Sequence, residues 1–384
     1  MLQGGNEWRY LKECLESGWV SSAGPFVERF EREVAALVGA QHAVAVASGT
    51  AALHTALRVV GVEPDEEVIV SDLTFIAPVN AIHYCGAHPV FMDADPVTWQ
   101  MDARKLERFL DEECDFQDQR LIHRRTRRRI RAILPVHILG LACDMGRIMD
   151  AAEKYGLRVV EDAAEAMGVH FYGRHAGGFG DVGIFSFNGN KIVTAGGGGM
   201  VVTGDAGLAR RARYLTTQAK DDEIESLHGE VGYNYRLTNI QAAVGLAQLE
   251  RLEGFIERKR ELAGRYEAIF SAVEGVTCMP SPPNTRPTYW LYTVLLPQGT
   301  LPDVRRAIIE ELGENGFQAR ALWLPAHRQP SYRSSPAFEI QAADDLFNRG
   351  ICLPSSVGLD PVDLLRCAET LVQIINRQRS GVAG

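Results

Sequence analysis

The chain has 384 residues, of which 46% are hydrophobic and 23% are charged, so it can bury one large core and a smaller one. Its formal net charge of −9 gives no reason to expect a nucleic-acid partner. No apolar run reaches the roughly 18 residues of a membrane-spanning helix, and no leader pattern opens the chain, so we expect no membrane segment.

Seven cysteines are scattered along the chain and form no CxxC pair. This usage predicts reduced thiols and a cytoplasmic location. The one strongly basic segment, residues 123–131, reads HRRTRRRIR. We interpret it as a solvated loop that runs into a strand, and a polyanion site is the alternative.

Hydrophobic periodicity predicts two helices before residue 38, separated by a break at 18–25. Helices are also predicted at 145–155, 239–252, 256–270, 303–314 and 361–377. Strands are predicted at 42–47, 67–71, 89–92, 131–136, 158–161, 182–187, 199–203, 289–296 and 316–322.

The alternation of strands and helices predicts an α/β fold. We expect a large domain whose mostly parallel sheet is covered by helices on both faces, followed by a small α+β domain. A proline-rich stretch at 280–287 lies where the pattern changes. The expected division is 1–250 for the large domain with its N-terminal helical arm, and 251–384 for a bridging helix and the small domain.

A turn between the first predicted strand and the next helix contains Ser48, Gly49 and Thr50. Glycine lets the backbone approach an anion closely, and the first N–H groups of a helix bind phosphate. A simple helix cap is the alternative, because serine and threonine commonly cap helices.

Two further strands end in polar residues. Asp162 follows a buried strand, and Ser186 and Lys191 follow the next one. Asp162 precedes Lys191 by 29 residues, which allows a strand–loop–strand passage back to the same edge of a sheet. Each residue alone is typical of a cap or a solvated surface.

A run of four glycines, Gly196–Gly199, follows the lysine and suggests close backbone packing, for example against a lysine that carries a cofactor. It does not match a dinucleotide or P-loop fingerprint. An anion turn, an acid and a lysine in this order are what pyridoxal phosphate needs for its phosphate, its ring nitrogen and its aldehyde.

Ordered motifs along nearly the whole chain make this sequence resemble the DegT-type sugar-nucleotide aminotransferases, which have the aspartate-aminotransferase fold (fold type I). These motifs are GWVSSAGPFVERFE, ASGTAALHTAL, TFIAPVNAI, ILPVHILG, VVEDAAEA, GDVGIFSFNGNKIVTAGGGGMV, GYNYRLTNIQAAVGLAQLERL and ICLPSS. The resemblance implies that Lys191 carries the cofactor as a Schiff base and moves protons, and that Asp162 binds the pyridine nitrogen.

The resemblance also implies contacts around the cofactor, at Gly49, Thr50, Ala51 and Ser186 for the phosphate, Phe75 stacked on the ring, and Glu165 near the phenolic oxygen. Core packing is the alternative for Phe75, and many relatives carry glutamine where Glu165 stands. Asn234 would reach the phosphate of a partner subunit, which implies a homodimer with shared active sites. Asn188 and His327 are the expected substrate contacts.

The implied reaction moves the amino group of L-glutamate, leaving 2-oxoglutarate, to the C4 keto group of a nucleotide-linked 4-keto-6-deoxy-2-acetamido sugar for glycan biosynthesis. Within the family the chain is most similar to enzymes of the bacillosamine and legionaminic-acid pathways. The nucleotide (uridine or guanosine diphosphate), the C2 substituent, the orientation of the new amine, and amination at C3 instead of C4 stay open.

Three rival functions remain. A sugar dehydratase of the same fold would carry histidine in place of Lys191. A non-catalytic regulator would have no need of that lysine. A nicotinamide-dependent oxidoreductase would need a glycine fingerprint after the first strand. We expect no metal, because His137 and Cys143 are two isolated candidates and not a ligand set.

Overall fold

The computed structural model describes residues 4–222 and 224–382. The helices are α1 Glu7–Ser17, α2 Pro25–Val38, α3 Gly49–Val59, α4 Ala77–Tyr84, α5 Ala103–Glu112, α6 Met145–Tyr155, α7 Ala206–Thr216, α8 Asn239–Leu249, α9 Leu252–Phe270, α10 Pro302–Glu314, α11 Ala342–Arg349 and α12 Pro361–Val382.

The strands are β1 His42–Val46, β2 Glu67–Ser71, β3 His88–Met92, β4 Cys114–Gln117, β5 Arg120–His123, β6 Arg129–Leu134, β7 Arg158–Asp162, β8 His170–Phe171, β9 Arg174–His175, β10 Val182–Ser186, β11 Gly199–Thr203, β12 Thr285–Arg286, β13 Thr293–Leu295, β14 Arg320–Ala321, β15 Ala337–Phe338 and β16 Gly350–Cys352.

The main sheet has the order β1-β11-β10-β7-β6-β2-β3-β15. Its pairs from β10 to β15 are parallel, whereas β11 runs antiparallel to both β1 and β10. Nearly every residue of β2, β7 and β10 is buried, as expected of parallel strands covered on both faces. The predicted α/β class with a mostly parallel sheet is therefore confirmed.

Two small sheets accompany this large one. Strands β13, β16 and β14 form a three-stranded sheet beside α10 and α11, and β12, β8 and β9 form another. Strand β15 joins the edge of the main sheet by pairing with β3. The division at residue 250 stays a prediction, because one hydrophobic cluster contains side chains from both sides of it.

The basic segment 123–131 contains the end of a β-hairpin. Strands β4 and β5 pair antiparallel, and β5 pairs with the start of β6. Arg124 forms an ion pair with Asp115, and Arg129 forms one with Glu66. The loop in the structure is thus shorter than the predicted loop, because part of the segment lies in two strands. Solvated arginines remain our interpretation of its surface.

The edge of the main sheet at the carboxyl ends of β2, β6, β7 and β10 collects the loops with polar residues. The last residue of β1 pairs with the first residue of β11, so the turn before α3 lies at the same edge. In open α/β sheets ligands bind at this edge. Among the helices in the described residues, none is long and apolar enough to cross a bilayer.

Candidate active site

The turn before α3 is tightly packed and presents helix N–H groups. Ser48 caps the helix, since its Oγ accepts a hydrogen bond from the Ala51 N–H at 3.1 Å. A Cβ on Gly49 would lie 2.8 Å from Ser186 Cβ, and one on Gly199 would lie 2.5 Å from the Ser48 carbonyl oxygen. Only glycine fits at both positions.

Two expectations change with this geometry. The glycine run at 196–199 packs, at Gly199, against the turn of Ser48 and Gly49, and not against the lysine as suggested from the sequence. The Ala51 N–H already serves the cap, so we retain Gly49 and Thr50 as the phosphate contacts to be tested. Both line the cavity described below, whereas Ala51 does not.

Asp162 ends β7, between β6 and β10, and is 4% exposed. Its Oδ1 accepts a hydrogen bond from the Ala164 N–H at 3.0 Å. Burial raises the pKa of this carboxyl, while the positive charge of Lys191 acts in the opposite direction. A second cation in the cavity would favour the ionised carboxylate, and a protonated pyridine ring is such a cation.

Lys191 lies in the loop after β10 and meets a second buried acid. Its Nζ is 3.6 Å from Glu165 Oε1, and Glu165 Oε2 accepts a hydrogen bond from the Leu139 N–H at 2.9 Å. Burial raises the pKa of Glu165 to about 7, and Lys191 again opposes the shift. Glu165 therefore gains or loses a proton near neutral pH, directly beside the amine.

These groups line one cavity of about 430 Å³. Its wall from the N-terminal half of the chain includes Ser48, Gly49, Thr50, Phe75, Asp162, Glu165, Ser186, Asn188 and Lys191. Phe75 is 54% exposed, which argues against ordinary core packing. The buried carboxylate, the lysine amine, the helix N-terminus and the aromatic face suit the ring nitrogen, aldehyde, phosphate and ring of pyridoxal phosphate, so the residues present fit this cofactor.

The other wall comes from the C-terminal half of the chain, and none of its residues is among those predicted from the sequence. Trp290, Arg320, Trp323 and Cys352 line the same cavity. A second cavity of about 650 Å³ adjoins it and shares Lys191, Trp290 and Arg320 with it. Cys352 lies in the ICLPSS motif, and the other three residues lie in none of the motifs given above, although the aromatic cluster TYWLY around Trp290 is an available signal.

Asn234 and His327 lie outside the lining of the cavity. Asn234 is exposed, and the Nδ1 atom of His327 is 2.8 Å from the buried Asp72 Oδ2. The hydrogen bond with Asp72 raises the pKa of His327, while its Nε2 is 3.6 Å from Asp344. His327, which lies in the segment that precedes β15, thus connects the end of β2 to α11.

The pair His137 and Cys143 has an internal structural role. The Cys143 N–H donates to His137 Nδ1, and His137 Nε2 lies 3.0 Å from Glu161 Oε2. Glu161 also accepts three backbone N–H groups from residues 177–180. In the part of the chain that the structure describes, no three potential metal ligands come together.

Comparison with known proteins gives a consistent result. The DegT/DnrJ/EryC1/StrS aminotransferase family matches residues 3–372. The chain is 39% identical over 372 residues to a GDP-perosamine synthase of Caulobacter vibrioides, with 97% of this chain and 96% of the relative covered. It is 38% identical to a GDP-perosamine synthase of Escherichia coli O157:H7, with 96% and 95% covered.

Among solved structures, the chain is similar to DesI in the presence of its TDP-sugar product. The TM-score is 0.87 at 30% identity, and 98% of this chain and 92% of DesI are covered. These relatives and solved structures agree on the family and on the kind of enzyme. The chain belongs to the DegT/DnrJ/EryC1/StrS aminotransferase family, as a pyridoxal-phosphate-dependent sugar-nucleotide aminotransferase.

Proposed function

We propose that this enzyme transfers the amino group of L-glutamate to the C4 keto group of a GDP-linked 4-keto-6-deoxyhexose, with Lys191 as its catalytic lysine. The observation that carries the role of Lys191 is its amine in one cavity with Asp162 and the N-terminus of α3. The sugar is argued from the relatives, because both GDP-perosamine synthases align along nearly their whole length. Such a synthase aminates C4 of a GDP-sugar.

The residues divide the chemical work. Pyridoxal phosphate, when bound, supplies an aldehyde that takes up an amine and a ring that withdraws electrons from the adjacent carbon. Gly49, Thr50, Ser186 and Phe75 line the cavity. The first three would hold the phosphate through N–H and hydroxyl groups, and Phe75 would lie against the ring. The negative charge of Asp162 keeps the ring nitrogen protonated, which increases the electron withdrawal.

Lys191 acts twice in each cycle. Its amine would take a proton from the donor's α-carbon in the first half of the reaction and would deliver a proton to C4 of the sugar in the second. The amine must be neutral to accept a proton. Glu165, with a pKa near 7 and at 3.6 Å, is the group in a position to take the proton from it.

A panel of keto sugars tests the substrate. We expect the purified enzyme with L-glutamate to aminate a GDP-linked 4-keto-6-deoxyhexose at least 10-fold more efficiently than its UDP-linked 2-acetamido counterpart, since one lost hydrogen bond to a nucleobase costs about 1.4 kcal/mol or more. Mass spectrometry detects the product, and NMR assigns the aminated carbon. Preference for the UDP-linked 2-acetamido sugar supports the alternative substrate implied by the sequence motifs, and amination at C3 contradicts the proposal.

We also propose a homodimer in which Asn234 of each chain completes the phosphate site of the other. Asn234 is exposed and outside its own chain's cavity, which supports this arrangement. Exposed apolar side chains in the same surface region, Ile224, Leu227 and Val231, are suited to a partner.

Hybrid dimers test this sharing. A mixture of Lys191→Ala and Asn234→Ala chains should form hybrids in which one site has both native residues. In an equal mixture, half of the randomly assorted dimers are hybrids. Each hybrid has one intact site out of two, so we expect about a quarter of wild-type activity at limiting cofactor. Activity no higher than the sum of the two parent variants would argue that each chain supplies its own Asn234.

A further inference from the structure

The indole of Trp290 lies against the amine of Lys191. The Nζ atom is 4.0 Å from the ring centroid, over the face of the ring. Trp290 is only 4% exposed, and the Lys191 side chain is 13% exposed. An aromatic face attracts a positive charge through the ring quadrupole, and the attraction is larger where water is excluded.

Three contacts fix the position of this indole. Its Nε1–H donates to the Asn190 carbonyl, next to the lysine, at 2.9 Å. The Trp290 carbonyl accepts a hydrogen bond from the buried Lys259 Nζ at 2.5 Å. The backbone N of Trp290 packs so closely on Gly140 that a Cβ there would lie 2.5 Å away. The ring therefore has little freedom to leave the lysine.

Gly140 belongs to the turn Ile138–Gly140. This turn also holds Glu165, the second neighbour of the Lys191 amine. Leu139 has a left-handed φ of 62° and donates its N–H to Glu165. Gly140 has a φ of 81°, and its carbonyl accepts from the Thr288 N–H at 2.9 Å. One turn thus positions both an aromatic face and an acid around Lys191.

We propose that Trp290 is a positioning residue that holds the Lys191 nitrogen in place and, when this nitrogen is linked to the cofactor, favours its positively charged form. The inference rests on the proposed role of Lys191. Trp323 lines the same cavity, but among the described residues its ring forms no cation–π contact with Lys191.

The test is a pH titration of the visible absorbance band of the holoenzyme, which reports the protonation of the lysine nitrogen. We expect Trp290→Leu to lower the midpoint of this titration by about 0.5–1.5 pH units, because it removes the ring that stabilises the cation. Trp290→Phe keeps an aromatic face and should lower the midpoint less. Trp323→Leu removes an indole from the same cavity and should leave the midpoint unchanged.

A second series keeps the shape of the ring. Tryptophan with one, two or three fluorines, placed at position 290 by nonsense suppression, withdraws electrons from the ring face in steps, so the midpoint should fall with each fluorine. This series decides the question if Trp290→Leu does not fold. The proposal is overturned if the midpoint stays the same across the fluorinated series, or if it is unchanged in a folded Trp290→Leu holoenzyme. Persistence of the same band in Lys191→Ala would instead overturn the role of Lys191.

Discussion

Replacing Lys191 with alanine abolishes turnover: we expect kcat to fall by about 10⁴-fold or more, since proton transfer by a positioned group contributes up to about 10⁴-fold and the covalent link to the cofactor is lost as well. The variant should still bind pyridoxal phosphate through Gly49, Thr50, Ser186 and Asp162. Its absorbance should be that of the unlinked cofactor. Stopped-flow measurement of each half of the reaction checks the loss of proton transfer and the loss of the covalent link to the cofactor.

Two controls distinguish the loss of a catalytic group from misfolding of the Lys191→Ala variant. Lys191→Arg keeps a cation of similar reach but has no amine that loses its proton at neutral pH, so it should be equally inactive. Added small primary amines should restore part of the proton-transfer rate in Lys191→Ala, because they enter the space left by the side chain. Wild-type turnover in Lys191→Ala would disprove the assignment of the catalytic lysine.

Replacing Asp162 with asparagine should have the second largest effect. The change keeps the shape of the side chain but removes the charge that holds the ring nitrogen protonated. A carboxylate beside a cation shifts a pKa by about 1–3 units, so we expect a loss of roughly 10- to 1000-fold in kcat. Unlike Lys191→Ala, this variant should retain the visible band of the lysine-linked cofactor.

Chemical rescue makes the Asp162 prediction specific. A cofactor analogue methylated on the ring nitrogen carries a permanent positive charge, so it no longer needs the carboxylate. It should restore much of the activity of Asp162→Asn while adding nothing to the wild type. An Asp162→Asn enzyme within about twofold of the wild-type kcat would show that Asp162 does not control the protonation of the ring.

The part of the site formed by residues 48–191 could be predicted from the sequence because each residue follows a buried strand. Strands β7 and β10 are compact apolar runs, and their parallel pairing brings Asp162 and the loop of Lys191 to one edge. The turn of Ser48 was recognisable from its serine, glycine and threonine between a strand and a helix. Local sequence therefore encodes this wall of the cavity.

The other wall could not be predicted because it depends on how distant segments pack. A strand was expected at 289–296, but β13 begins only at Thr293. Tyr289 has a left-handed φ of 50°, and the segment 288–290 packs on Gly140, so the chain turns Trp290 toward Lys191. The strand predicted at 316–322 is limited to Arg320–Ala321 in the structure.

The most direct test of the central claim is to locate the lysine that carries the cofactor. The holoenzyme is reduced with borohydride, which fixes the cofactor to its lysine, and is then digested with trypsin. A modified Lys191 resists cleavage, so we predict a labelled peptide covering residues 175–210. A label on any other lysine, or no label in an enzyme that is active before reduction, would contradict the account.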